Sequence, residues 1–221
     1  MIITIDGPAA AGKGTLAGKL ADKYNLAYFD TGMVYRAVGL EMLLGGFELG
    51  NVDAAVRFAR NLTFPRMMEL SRNPVFRSLE GSKAASAVAA VPEVRTALLQ
   101  MQQDFSKNPV FADGSPAKGA IYDGRDTGTV VCPRADIKFF VTASPEIRAE
   151  RRHKEYLQKG QAVDYAEVLE QTIARDQKDF ARESSQPAKD AVIFDTSGLS
   201  IDEVFAKACE IIENRKKTLE K

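Results

Sequence analysis

The hydrophobic pattern of the chain opens with an apolar run, a glycine-rich turn and an amphipathic segment. The run from Ile2 to Ile5 has the length and composition of a buried strand. Between Lys13 and Tyr24, apolar side chains recur every four residues, at Leu16, Leu20 and Tyr24, which predicts a helix with one apolar face. The start of the chain therefore predicts a strand, a loop and a helix in succession.

Strands and helices are predicted to alternate along the rest of the chain. Apolar runs predict strands at 26–29, 119–122, 137–142 and 191–194. Periodicity and capping signals predict helices at 34–44, 53–60, 83–90, 93–105, 144–158, 165–181 and from 200 onward, with irregular stretches at 61–81 and 106–118 and a break at 159–161. Asp53 and Ser200 are predicted N-caps, and Glu203 completes a capping box with Ser200.

This alternation predicts an α/β fold with a five-stranded parallel sheet and helices on both faces. Ligands of such sheets bind beyond the carboxyl ends of the strands. We therefore expect four segments that follow strands, 7–15, 30–32, 123–126 and the stretch from 144, to converge on one cleft. The stretch from about Gly46 to Ala90 lacks the character of a core strand, and we expect it to cover part of that cleft.

Charge and composition exclude several classes of protein. Lys and Arg together number 30, as do Asp and Glu, so the formal net charge is zero, whereas a general nucleic-acid binder is usually basic. Cys132 and Cys209 are isolated and form no metal-binding spacing, and no apolar run approaches the length of about 18 residues that indicates a membrane helix. We expect a cytoplasmic monomer that binds neither nucleic acid nor a membrane.

The loop after the first strand carries the strongest chemical signal. Gly7 to Gly12-Lys13 has the spacing G-x-x-x-x-G-K between a strand and a helix, which is typical of a phosphate-binding loop. Backbone N–H groups and the positive end of the helix attract an anion there, and Lys13 is placed to reach the β- and γ-phosphates. Gly14 follows the lysine where a Mg²⁺-binding hydroxyl is common, and the hydroxyl comes one residue later. The predicted site for the phosphates of a nucleoside triphosphate, which the family resemblance given below identifies as ATP with Mg²⁺, consists of Gly7, Pro8, Ala9, Ala10, Ala11, Gly12, Lys13, Gly14 and Thr15.

Three other charged segments each allow two interpretations. Asp30 to Arg36 joins a strand end to a helix whose Arg either forks onto a phosphate or lies on the surface. Asp123 to Gly128 is either a site or a turn held by local ion pairs. The helices of 146–182 present either a solvated charged face or a hairpin that closes over phosphates. His153, the single histidine, is predicted to be a surface residue, neither a base nor a ligand.

Taken in order, these motifs resemble those of bacterial cytidylate kinases, which transfer the γ-phosphate of ATP to CMP or dCMP. The resemblance covers nearly the whole chain. It includes the phosphate loop, Asp-Thr-Gly-x-x-Tyr-Arg from Asp30, Pro-Glu-Val-Arg from Pro92, Asp-Gly-Arg-Asp-x-Gly-Thr-Val-Val from Asp123 and Arg-Asp-x-x-Asp-x-x-Arg from Arg175. It implies a single P-loop kinase domain with a core at 1–35, 91–144 and 183–221, an acceptor-binding insert at about 36–90 and a helical lid at about 145–182.

The resemblance also implies individual roles. The acceptor phosphate would be held by Arg36, Arg125 and Arg182. The cytosine edge would be read by Ser86, Arg95 and Asp126, and the sugar hydroxyls by Arg175 and Asp179. Thr31 and Asp123 complete the predicted substrate-binding set. The charge of the transition state would be neutralised by Lys13, Arg125, Arg182 and the lid arginines Arg148 and Arg152. Mg²⁺ would rest on phosphates and water, with Thr15 or Asp126 as water-mediated ligands.

The chain departs from the family pattern in three places. Ala9 stands where many relatives have Ser, the insert between Asn61 and Ser86 is shorter than in some members, and the loop at 106–118 is longer. The shorter insert leaves discrimination between CMP and UMP open. The alternatives are a broader UMP/CMP or adenylate-type kinase, a kinase of the shikimate type that shares only the loop and general topology, and a nucleotide-dependent switch, which would need no second phosphate site.

Overall fold

The computed structural model describes residues 1–158 and 160–219. Its strands are β1 (Ile2–Asp6), β2 (Ala27–Asp30), β3 (Ala120–Asp123), β4 (Ile137–Thr142) and β5 (Val192–Asp195). Its helices are α1 (Lys13–Tyr24), α2 (Gly32–Leu44), α3 (Val52–Asn61), α4 (Phe64–Leu70), α5 (Leu79–Ala89), α6 (Pro92–Lys107), α7 (Pro145–Gln158), α8 (Tyr165–Phe180) and α9 (Ile201–Leu219).

The five strands form one sheet in the order β2-β3-β1-β4-β5. β1 lies at its centre and pairs in parallel with β3 and with β4, while β4 pairs in parallel with β5. The predicted α/β class is confirmed. The central position of β1 explains its apolar run, because a strand with a neighbour on each side in a covered parallel sheet is buried.

One face of the sheet packs against α1 and α9. Ile3, Ile5 and Phe139 are buried in this layer, where they meet apolar side chains of the two helices such as Leu16 and Ile212. This packing fixes the start of α1 against the end of β1, which is where the phosphate-binding loop lies. The predicted capping box at the start of α9 is confirmed, since the Ser200 hydroxyl accepts from Glu203 N and the Glu203 carboxylate accepts from Ser200 N.

The chain divides into two compact units. The first, here called the sheet unit, consists of Met1–Phe29 and the chain from Pro109 onward, and it contains α1, α7, α8 and α9. The second, here called the helical unit, is Asp30–Asn108 and contains α2 to α6. The stretch predicted as an acceptor-binding insert, about 36–90, lies within the helical unit.

Some predicted boundaries were wrong. The stretch 61–81 was predicted to be irregular, yet it contains α4 and a 3-10 turn at Pro74–Arg77. Each is capped at its start, because the side-chain oxygens of Thr63 and Asn73 accept hydrogen bonds from backbone N–H groups of the first turn. α3 is capped by Asn51, whose Oδ1 accepts from Ala54 N, and not by Asp53. α6 extends to Lys107, so the predicted loop begins two residues later and closes on itself by a bridge between Val110 and Pro116. Of the predicted break at 159–161, Lys159 lies outside the described residues, and Gly160 lies in a turn.

Candidate functional site

The phosphate-binding loop leaves β1 through a glycine that no other residue can replace without a shift of the backbone. Gly7 has φ +139°, and a Cβ built on it would lie 1.9 Å from the carbonyl oxygen of Val141 in β4. α1 then begins at Lys13 after Gly12, which has no side chain to cap the helix, and the first turn contains no acidic residue. The N–H groups of that turn therefore point towards the loop, and no side chain compensates their partial positive charge. This arrangement favours the binding of an anion in the loop.

Lys13 lies buried in this loop. Its Nζ donates to Pro8 O at 2.8 Å and lies 3.9 Å from Asp123 Oδ1. Burial and, after it, the Arg125 charge lower the pKa of Lys13 to about 7, although the Asp123 carboxylate opposes both. Burial of a lysine with little carboxylate compensation is costly, and a polyanion beside Nζ would offset that cost.

The loop that carries Asp123 to Gly128 is held by Asp6. The Asp6 carboxylate accepts from Thr127 N at 2.9 Å, from Thr127 Oγ1 at 2.8 Å and from Gly128 N at 2.7 Å. Burial raises the pKa of Asp6, although these hydrogen bonds oppose the rise. Thr127–Val131 forms a single π-helical turn, and Thr129 Oγ1 donates to Ser184 O. The most specific motif of the sequence therefore includes residues that anchor the loop.

Three predicted arginines meet around the carboxylate of a fourth predicted residue, Asp179. Asp179 of α8 accepts from Arg125 Nε at 3.2 Å and from Arg182 Nη2, and Arg175 Nε lies 3.8 Å away. Burial alone would raise the pKa of Asp179, but Arg125, Arg175 and Arg182 outweigh it and lower that pKa below its ordinary value. We call these residues the Asp179 cluster. With three guanidinium groups around one carboxylate, the cluster has a net positive charge that suits a phosphate.

The two lid arginines of the prediction occupy different surroundings. Arg148 is 2% exposed and is bound on several sides within the sheet unit. Arg152 is half-buried and donates to the hydroxyl of Tyr156, over whose ring it also lies. His153 is half-buried rather than a surface residue, because its ring nitrogen bonds Val163 O at 3.0 Å and its ring packs edge-on against Tyr165.

The helical unit contains a second group of predicted residues. Arg36 of α2 donates to Phe76 O at 2.9 Å and to Ser82 Oγ at 3.2 Å. Arg95 of α6 donates to Ala89 O and lies over the ring of Tyr35. Ser86 is exposed on α5, and Thr31 is buried just before α2. Close packing of α2 on α5 holds this group, since a Cβ on Gly39 would lie 2.8 Å from the backbone of Ala84.

Three segments predicted to converge do meet within the sheet unit. Lys13 of the loop lies beside Asp123, and a Cβ on Gly14 would lie 3.3 Å from the same carboxylate. Arg125 then joins the Asp123 segment to α8 through Asp179. The fourth segment, 30–32, belongs to the helical unit.

Several residues of the site have roles that the sequence analysis missed. Tyr28 OH donates to Asp123, Asp6 anchors Thr127, Asp176 pairs with Arg148, and Thr196 Oγ1 donates to Ala11 O. Asp6 could have been found from its place at the carboxyl end of the strand that enters the loop. Asp176 and Thr196 lie far along the chain from their partners, and no local pattern connects them.

Oxygen donors suited to Mg²⁺ are present at the loop but form no metal cage. Thr15 is exposed in the first turn of α1, and Asp126 is 8% exposed beside Thr127. Across residues 1–158 and 160–219, no group of three or more His, Cys, Asp or Glu side chains is placed to hold a metal ion. This donor set fits a Mg²⁺ ion that is bound mainly by ATP and water. None of the helices in the described part of the chain has the length and apolar character of a membrane span.

Comparison with known proteins identifies relatives of the whole chain. The family model described as cytidylate kinase matches residues 3–214. A cytidylate kinase of Xanthobacter autotrophicus is 47% identical over 219 residues, with 98% of this chain and 99% of that protein covered. A cytidylate kinase of Methylocella silvestris is 46% identical over 216 residues, with 97% and 94% covered. A gluconokinase structure from Sinorhizobium meliloti 1021 is 12% identical with a TM-score of 0.51 and covers 99% of this chain and 94% of its own, which supports the fold alone.

Proposed function

The chain belongs to the cytidylate kinase family, and we propose that it transfers the γ-phosphate of ATP to CMP or dCMP, giving ADP and CDP or dCDP. The observation that carries the proposal is the Asp179 cluster beside the phosphate loop. Arg125 donates a hydrogen bond to Asp179, and its charge contributes to the lowered pKa of Lys13 in the loop. A switch or simple ATPase needs one phosphate site, whereas a kinase that phosphorylates a phosphate needs two. Full-length relatives above 40% identity support the same activity.

On the donor side, we assign the phosphates of ATP to the segment 7–15. Backbone N–H groups of the loop and of the first turn of α1 would bind the phosphate oxygens, and Lys13 would exchange Pro8 O for a phosphate oxygen. Mg²⁺, arriving with ATP, would withdraw charge from the β- and γ-phosphates. Thr15 and, through water, Asp126 are the side chains that fit its coordination sphere.

On the acceptor side, we assign the CMP phosphate to Arg36, Arg125 and Arg182. The sugar hydroxyls are assigned to Arg175 and Asp179, and the remaining substrate-binding residues are Thr31, Ser86, Arg95, Asp123 and Asp126. A carboxylate accepts a hydrogen bond from the exocyclic amine of cytosine, whereas uracil presents a carbonyl at that position. A desolvated Asp126 would therefore disfavour UMP, because two acceptors would face each other without a proton.

The reaction needs alignment and charge neutralisation rather than covalent catalysis. The transferred phosphoryl group passes through a loose transition state with charge spread over its equatorial oxygens. Lys13, Arg125 and Arg182 would stabilise that charge. The attacking oxygen belongs to a phosphate that is already largely a dianion near neutral pH, so no general base is required. The structural role of His153 is consistent with this mechanism.

The test is ADP formation from ATP and Mg²⁺ with CMP, dCMP, UMP, AMP, GMP or no acceptor in parallel. We expect rapid turnover with CMP and dCMP and at least about tenfold lower kcat/KM with UMP. Equal turnover with UMP would show that the shorter insert has relaxed base selection. ADP formation without an acceptor at the rate seen with CMP would overturn the proposal and identify the protein as an ATPase.

A further inference from the structure

Arg148 is a cation that the structure buries completely within the sheet unit. Its side chain is 2% exposed and lies in the first turn of α7. Nε donates to Ala143 O at 2.8 Å, and Nη1 donates to Asp176 Oδ1 at 3.0 Å. Nη2 donates to the other oxygen of Asp176, so the ion pair is bidentate. These hydrogen bonds fix the orientation of the guanidinium group, and its burial keeps it from contacting a phosphate that binds from solvent.

The remaining contact of Arg148 reaches the phosphate loop itself. Nη1 also donates to the carbonyl oxygen of Ala9 at 3.2 Å. A trans peptide is planar, and its C=O and N–H point in opposite directions. Holding Ala9 O therefore directs the N–H of Ala10 to the opposite side of the loop from Arg148. Ala10 has φ +60°, a conformation that alanine rarely adopts and that persists when its surroundings enforce it.

Two other carbonyls of the loop also face donors, one of them a cation and the other a hydroxyl. Lys13 donates to Pro8 O, which orients the N–H of Ala9. The Thr196 hydroxyl lies 3.3 Å from Ala11 O, whose peptide includes Gly12 N–H, and shares its single proton between this oxygen and Thr142 O at 3.0 Å. The carbonyl side of the loop is thus lined with donors, which leaves its N–H groups directed away from them.

We propose that Arg148 is a positioning residue for the phosphate loop and that Asp176 orients it. This assignment replaces, for Arg148, the role of a lid cation that contacts phosphate. Arg148 acts through Ala9 O, which fixes the direction of Ala10 N–H before the nucleotide binds. Asp176 acts through Arg148, because its two oxygens hold both Nη groups and leave Nη1 aligned with the loop. The inference rests on the proposed binding of ATP phosphates by segment 7–15.

The test is binding of ADP with Mg²⁺, measured by titration calorimetry in the absence of CMP. The variants are Arg148→Lys, Asp176→Asn and the double variant Arg148→Met/Asp176→Leu. The double variant removes both charges and leaves no buried charge unpaired, so we expect it to fold. Lys154→Met is the matched control, since Lys154 forms an exposed ion pair with Glu150 on the same helix.

We expect wild type and Lys154→Met to bind ADP equally and the three Arg148 and Asp176 variants to bind about tenfold more weakly. The double variant decides between roles: a merely structural pair predicts that it binds ADP like wild type, and that result would overturn the inference. Exchange of the Ala10 amide with solvent, followed by NMR, should be faster in the double variant than in wild type, and unchanged exchange would also contradict it. Failure of wild type itself to bind ADP would instead refute the proposed function on which the inference rests.

Discussion

Helix α8 carries two aspartates, three residues apart, whose arginine partners differ in their exposure to solvent. Asp176 pairs with Arg148, which is 2% exposed, whereas the side chains of Arg125, Arg175 and Arg182 around Asp179 are 22%, 37% and 28% exposed. The same residue types thus form a buried pair and an accessible cluster. Charges that must exchange partners with a substrate need access to it, and charges that hold a loop in place need isolation from water. We therefore expect the cluster to affect catalysis and the buried pair to affect stability and loop geometry.

The largest expected effect is the loss of Arg125. In Arg125→Met, the transferred phosphoryl group loses a cation, and we expect kcat/KM to fall by about a thousandfold, as for removal of an arginine that stabilises transition-state charge. The free energy of unfolding should change by less than about 1 kcal/mol, because Arg125 is partly solvated and Asp179 keeps Arg175 and Arg182 as partners. Steady-state kinetics and urea unfolding measure the two quantities.

The control for this variant is Arg134→Met, which removes an exposed arginine that follows the same motif. It should leave both quantities at wild-type values. A fall in kcat/KM smaller than tenfold for Arg125→Met would contradict the division between cluster and buried pair.

Breaking the buried pair of Arg148 and Asp176 is expected to have a smaller effect, in free energy, than the loss of catalysis in Arg125→Met. Arg148→Met leaves Asp176 without its guanidinium, and we expect the free energy of unfolding to fall by about 3 kcal/mol. Lys154→Met, which breaks an exposed pair on α7, should cost less than about 0.5 kcal/mol. Urea unfolding compares them, and equal costs would show that Arg148 is not held as the structure describes.

Lys13 is an intermediate case, because it is buried like Arg148 but is proposed to bind phosphate. Its pKa of about 7 in the folded protein lies below that of a lysine in an unfolded chain, so between about pH 7 and about pH 10 the unfolded state binds more protons. Stability should therefore rise with pH across this window, by about 1 kcal/mol per pH unit from this group. In Lys13→Met that contribution should vanish, and urea unfolding of both proteins at several pH values measures the difference. Parallel pH curves would contradict the burial of Lys13 as a cation.

The part of the site that is local in sequence was predicted, and the part that depends on distant contacts was not. The loop and α1 were predicted with the observed bounds of the helix, because glycine spacing and apolar periodicity lie within one short segment. The grouping of Arg175, Asp179 and Arg182 also follows from helical spacing. α4 was missed because it has only seven residues and includes Pro65, although Pro in a first turn is compatible with a helix.

The burial of Arg148 shows the limit of local pattern most clearly. Its neighbours on α7 alternate in charge, which is typical of a solvated face, and Glu150 and Lys154 do form the expected exposed pair. Arg148 differs from them only because Asp176 and Ala9, far away along the chain, are folded against it. The anchoring of Thr127 by Asp6 depends in the same way on the pairing of β1 with β3.

The most direct test of this account is a two-substrate kinetic comparison of Asp176→Asn with Asp179→Asn, in which ATP and CMP are varied independently. Asp179→Asn should raise the KM for CMP by about tenfold and leave the KM for ATP within about twofold of wild type. Asp176→Asn should raise the KM for ATP by about tenfold and leave the KM for CMP within the same limit. If both variants change the same KM, the two aspartates do not divide acceptor binding from loop positioning, and the account is contradicted.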